Sequence, residues 1–177
     1  MAAKNHSIVM PDTDKEDALN ALTGACFGST GQRCMAIAVV VLVGDAQKWI
    51  PDIVEKARNL SMGSGFENVD ISPINGKDNV ARINGLIDRA EQDPNLKILL
   101  DGRNPKVANY PNGNWVGPTI IDGCAAGQES YDTEIFGPVM NIVRADTFTE
   151  ALKFINNNPY GNGCSIFTQD GSVARQF

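Results

Sequence analysis

One cysteine in this chain stands where a substrate can reach it. Cys34 follows Gly28, Ser29, Thr30 and Gly31 and precedes the apolar run Ile37 to Val43. The small residues before it leave the backbone uncovered, so another molecule can come close. Arg33, directly before it, is a permanent positive charge, and a neighbouring cation favours the thiolate, the nucleophilic form of cysteine. Backbone N–H groups in such a turn, that of Cys34 included, can stabilise negative charge building on an oxygen. These residue types suit covalent catalysis through sulfur. The competing reading is a buried, inert thiol at a helix-to-strand junction, because free cysteine is among the most buried residue types.

The rest of the composition narrows the setting. A chain of 177 residues can build one domain with a real core. Its net charge of −6 argues against a nucleic-acid or anionic-membrane surface. No apolar run is long enough to span a bilayer, and the start, M-A-A-K-N-H, lacks the apolar core of a secretory signal. Cys26, Cys34, Cys124 and Cys164 form no C-x-x-C pair and, with the single His6, give no zinc spacing, so no metal site is expected. Reduced, separate thiols in a cytoplasm-like compartment follow.

Alternating elements must position the cysteine. Lys4 to Met10 is a short apolar segment, and Asp12 and Asp14 supply capping chemistry. Ala18, Leu19, Leu22 and Cys26 recur at helical spacing, and that helix ends near Phe27-Gly28. The β-branched run Ile37 to Val43 reads as a strand covered on both faces. A helix follows from about Ala46 to Leu60, with Pro51 early enough to be tolerated. Ser61 to Asn75 reads as a surface loop, Gly76 to Asp93 as a helix and Leu96 to Leu100 as a strand. Asp101 to Asn114 is an exposed excursion, and Trp115 to Ile121 is a strand that Pro118 confines to an edge or a bulge. Tyr131 to Pro138 is a loop or single helical turn. A strand (Val139 to Ala145), a helix (Thr147 to Asn157), a strand (Ser165 to Thr168) and a helix from Gly171 complete the chain. The alternation predicts an α/β fold with a mainly parallel open sheet flanked by helices.

Three segments in order carry a resemblance. F-G-S-T-G-Q-R-C-M-A (Phe27 to Ala36) is similar to the active-site cysteine segment of the aldehyde dehydrogenase superfamily. E-I-F-G-P-V (Glu134 to Val139) resembles its second signature, and N-P-Y-G-N-G (Asn158 to Gly163) resembles its N-x-x-Y-G-L segment. Together with A-K-N-H at Ala3 to His6, these are most similar to the superfamily's CoA-acylating methylmalonate-semialdehyde branch.

The resemblance implies a function and a set of roles. Cys34 would attack an aldehyde, hydride would pass to NAD, and the resulting thioester would be released to coenzyme A. Arg33 would grip a substrate carboxylate, or instead make a structural salt bridge. Glu134 would hydrogen-bond the nicotinamide ribose and Phe136 would lie beside the nicotinamide. Without the resemblance, a loop glutamate is usually solvated and a phenylalanine usually core. His6 reads as a surface or structural residue rather than a base, Cys124 and Cys164 as core or edge thiols, and Cys26 as packing on its helix.

Residues 1–177 would be a single catalytic domain lacking the NAD-binding domain and C-terminal tail, inactive by itself. The full-length protein would be a homo-oligomer acting on a small semialdehyde, in the cytoplasm or, in a eukaryote, the mitochondrial matrix. Two alternatives stay open: an NAD(P)-dependent aldehyde dehydrogenase that hydrolyses its thioester, and a non-catalytic self-association fragment.

Overall fold

The computed structural model describes residues 2–177. Among these residues six strands form one sheet: β1 (Asn5–Val9), β2 (Ile37–Val43), β3 (Lys97–Leu100), β4 (Thr119–Asp122), β5 (Val139–Ala145) and β6 (Cys164–Phe167). Their order across the sheet is β3-β4-β5-β2-β1-β6. Every neighbouring pair is parallel except β3 with β4. The helices are α1 (Lys15–Phe27), α2 (Ile50–Arg58), α3 (Lys77–Gln92), α4 (Glu129–Asp132), α5 (Phe148–Asn157) and α6 (Gly171–Gln176). Among the described residues, no helix is long and apolar enough to cross a membrane.

The two-residue period of a strand explains the layering. On β2, Val39, Val41 and Val43 point to one face, where they meet Ile83, Leu86 and Ile87 of α3 and Ala151 of α5. Val40 and Leu42 point to the other, against Leu19, Leu22 and Phe27 of α1 and Ile53 of α2. All five are buried, and each contributes about 1.5–3 kcal/mol of hydrophobic stabilisation. The apolar run therefore reads correctly as a strand covered on both sides. Asp14 starts α1 by accepting a hydrogen bond from the Asp17 N–H, and Gly28 ends it.

Three expectations change. The residues from Gly44 to Trp49 form a 3₁₀ helix, and the α-helix starts only at Ile50, with Pro51 in its first turn. The strand read at Trp115 to Ile121 begins after Pro118, at Thr119, and is interior. The proline, which has no N–H to give to a ladder, precedes the ladder instead of confining the strand to an edge, and the irregular register lies in β3, between Ile98 and Leu100. The opening segment is an interior strand whose first half is polar: Asn5, His6 and Ser7 are all buried.

Candidate active site

Cys34 sits in the connection from α1 to β2, which turns sharply. Ser29, Thr30 and Gly31 all lie at left-handed φ (53°, 55° and 67°), a conformation that costs energy for the first two and persists only where the surroundings impose it. The surroundings are polar. The Thr30 hydroxyl, fully buried, donates to the Ser72 carbonyl (2.7 Å) and accepts from the Ser72 N–H (3.1 Å). The Gln32 side chain accepts from the Asn75 N–H (2.8 Å). The loop from Ser61 to Asn75 is thus more than a surface connection: it braces the turn before the cysteine. A β-turn then runs from Arg33 to Ala36, closed by the Ala36 N–H on the Arg33 carbonyl (3.0 Å), and Cys34 is exposed on it.

The Arg33 guanidinium donates from Nη2 to the carbonyls of Gly24 (3.1 Å) and Ala25 (2.8 Å). It caps the C-terminal end of α1, where a cation complements the helix dipole. The salt bridge weighed from sequence is absent among the described residues; carbonyls, not carboxylates, hold the arginine. Nε and Nη1 make no hydrogen bond there.

The segment Glu134 to Val139 approaches from the other side of the cleft. A Cβ on Gly31 would run into the Gly137 carbonyl oxygen, so the two loops touch backbone to backbone. Glu134 is half-buried, and its carboxylate has no hydrogen-bond or ion-pair partner among the described residues. Phe136 is exposed at left-handed φ (52°), held between buried Ile135 and buried Gly137. Arg33, Cys34, Glu134 and Phe136 all line one narrow cleft, with Ala36, Ile37 and Val139. The structure therefore brings all four predicted residues together.

Cys26 lines the same cleft but is buried, and desolvation pushes its thiol up to about 12. The Cys124 thiol is likewise buried and raised by desolvation to about 12, while Cys164 is exposed on edge strand β6.

Several supporting residues were not legible in advance. Lys4 is buried, and desolvation lowers its amine from 10.5 to about 8. Its Nζ donates to the carbonyls of Ser130 (2.6 Å) and Thr133 (2.8 Å), directly before Glu134. His6 is buried and structural: Nδ1–H donates to the Lys4 carbonyl, and Nε2 accepts from the Tyr131 hydroxyl, each at 2.8 Å. Desolvation lowers His6 to about 4, so the ring is neutral. Asn5 donates from Nδ2 to the carbonyls of Cys34 (2.7 Å) and Ala36 (3.0 Å) and accepts from the Gly163 N–H (2.9 Å). Only the buried, polar start of β1 signals these roles, and hydropathy alone does not reveal it.

The aldehyde dehydrogenase family model matches residues 1–177. The chain belongs to the aldehyde dehydrogenase family. Among curated members it is 48% identical over 178 aligned residues to the rat methylmalonate-semialdehyde/malonate-semialdehyde dehydrogenase [acylating], covering 100% of this chain and 33% of the relative. The human protein of the same name is also 48% identical, with the same coverage. The chain thus spans about a third of the length of these family members. Among solved structures, the methylmalonate-semialdehyde dehydrogenase of Oceanimonas doudoroffii superposes with a TM-score of 0.94 at 44% identity, over 99% of this chain and 36% of that one. The 'putative methylmalonate-semialdehyde dehydrogenase' of Sinorhizobium meliloti, complexed with NAD, gives 0.95 at 42%, with the same coverage. The aldehyde dehydrogenase fold and the six-stranded sheet described above are the same arrangement.

Proposed function

We propose that this chain is the cysteine-bearing catalytic domain of an NAD-dependent, CoA-acylating dehydrogenase of methylmalonate or malonate semialdehyde. The observation that carries the reading is the backbone contact of Gly31 with Gly137, which sets an exposed thiol against an unpaired carboxylate and an exposed aromatic ring across one cleft. That donor set fits the nicotinamide end of NAD: a free carboxylate accepts from ribose hydroxyls, and an open ring face packs on a flat heterocycle. Glu134 and Phe136 would hold it there. When bound, NAD supplies the hydride acceptor.

The chain's own residues do the rest. The Cys34 thiolate adds to the aldehyde carbon, and the oxygen takes the negative charge, facing the N–H groups of the turn. Loss of hydride leaves an acyl group on sulfur as a thioester; its free carboxylate leaves as carbon dioxide, a proton takes that place, and the thiol of coenzyme A displaces the propionyl or acetyl group, restoring Cys34. Arg33, anchored through Nη2, has Nε and Nη1 to offer the substrate's carboxylate. Cys26 stays protonated and inert because it is desolvated. By similarity to the branch, the full-length protein would be a homo-oligomer serving valine and myo-inositol breakdown, in the matrix of the mitochondria in a eukaryote, where the rat relative is named as mitochondrial, or in a bacterial cytoplasm.

The test uses the full-length protein with methylmalonate semialdehyde and NAD, with and without coenzyme A. NADH formation that needs coenzyme A and disappears in Cys34→Ser is the expected result. Turnover without coenzyme A would point to the hydrolytic alternative. No preferential alkylation of Cys34 over the other cysteines would point to a non-catalytic fragment.

A further inference from the structure

The Cys34 carbonyl is held twice. Asn5 Nδ2 donates to it at 2.7 Å, and Asn162 Nδ2 donates to the same oxygen at 2.6 Å. That carbonyl belongs to the central peptide of the Arg33–Ala36 turn, whose ends are already tied by the Ala36 N–H on the Arg33 carbonyl. In a β-turn the central peptide can flip while both ends stay in place; the flip is what separates the type I from the type II form. Closing the turn therefore does not fix how Cys34 is presented. The two amides do, because a flipped carbonyl points away from both.

Asn162 is shaped for this contact. It lies at a φ of 143°, where side-chain-bearing residues are rare, so its backbone is strained. The next residue, Gly163, gives its N–H to Asn5 Oδ1, and a Cβ there would lie 2.8 Å from Met35 Cε. Asn162 and Gly163 are thus seated against the cysteine turn.

We infer that Asn162 is a positioning residue for the nucleophile: its amide locks the Cys34–Met35 peptide in one orientation and so fixes the direction in which the sulfur is presented. The inference rests on Cys34 being the nucleophile, and the test separates the two.

The experiment follows iodoacetamide alkylation of the protein from pH 6 to 10, with mass mapping to resolve Cys34 from Cys164. Asn162→Leu removes the donor at similar size; Asn162→Gly removes it and relieves the backbone. In both, the plateau rate at Cys34 falls about fivefold, the population change that loss of one ordinary hydrogen bond allows. The midpoint of the pH profile stays, because the amide orients the sulfur without charging its surroundings, and the Cys164 rate stays. An unchanged Cys34 plateau in both variants, or an equal fall at Cys164, overturns the inference. A wild-type Cys34 no faster than Cys164 overturns the nucleophile reading, while the ratio of variant to wild type still decides the role of Asn162.

Discussion

The two loops that meet over the cleft are fixed by opposite means. The cysteine turn is tied by polar side chains: amides and hydroxyls of Asn5, Thr30, Gln32 and Asn162 grip backbone groups around it, and three successive residues are held at left-handed φ. The glutamate loop is tied from beneath. The buried Lys4 amine holds the carbonyls before it, Ile135 is sunk in the core, Arg82 donates to the Ile135 carbonyl, and Gly137 lies against Ile83. The first arrangement holds a thiol in place while leaving it open to solvent. The second makes a cofactor-facing loop an extension of the hydrophobic core. Damage to the first should therefore cost reactivity before stability, and damage to the second the reverse.

The largest effect should come where the two meet. Gly31→Ala puts a Cβ against the Gly137 carbonyl at a backbone that already needs positive φ. It should cost about 4 kcal/mol, seen as a large fall in the denaturation midpoint. Next is the base of the glutamate loop. His6 titrates near 4 when folded, below its ordinary 6.5, so the neutral ring is the form the fold prefers. The unfolded chain then binds the extra proton first. Stability should be full above pH 6.5 and fall by about 3 kcal/mol toward pH 4. Urea titrations across that window check it, and His6→Gln should flatten the slope. The smallest effect belongs to the cysteine turn. Thr30→Val strips the Ser72 N–H and carbonyl of a partner and should cost about 1–2 kcal/mol. Alkylation of Cys34 should slow in this variant more than in any glutamate-loop variant of equal stability. Equal slowing in both loops would erase the distinction.

How much of this was legible varies with the physics behind each part. β2, β5, α1 and α3 follow from period and β-branching, because burial on two faces or one stripe leaves a pattern in hydropathy. The interior position of β1 does not follow, since Asn5, His6 and Ser7 are buried for their hydrogen bonds and read as polar. The place of Pro118 does not follow either, because a proline just outside a strand and one inside it look alike in sequence. At the site, Cys34, Arg33, Glu134 and Phe136 came from motifs, and the structure gathers them in one cleft. Their supports came from nowhere local: Asn162 reaches Cys34 across 128 positions of chain, and Lys4 reaches Ser130 across 126.

The start of β1 has a further consequence. Side chains of a strand alternate, so Lys4 and His6 serve the Ser130–Thr133 side while Asn5, between them, serves the cysteine side. Deleting or inserting one residue ahead of Ile8 would transpose all three at once, turning the lysine toward the thiol's hinge and the amide toward the helix that precedes Glu134. Spacing here is consequently less forgiving than identity: a homologue could exchange any one of these side chains and adapt, whereas a frame change of one would unseat both halves of the cleft together.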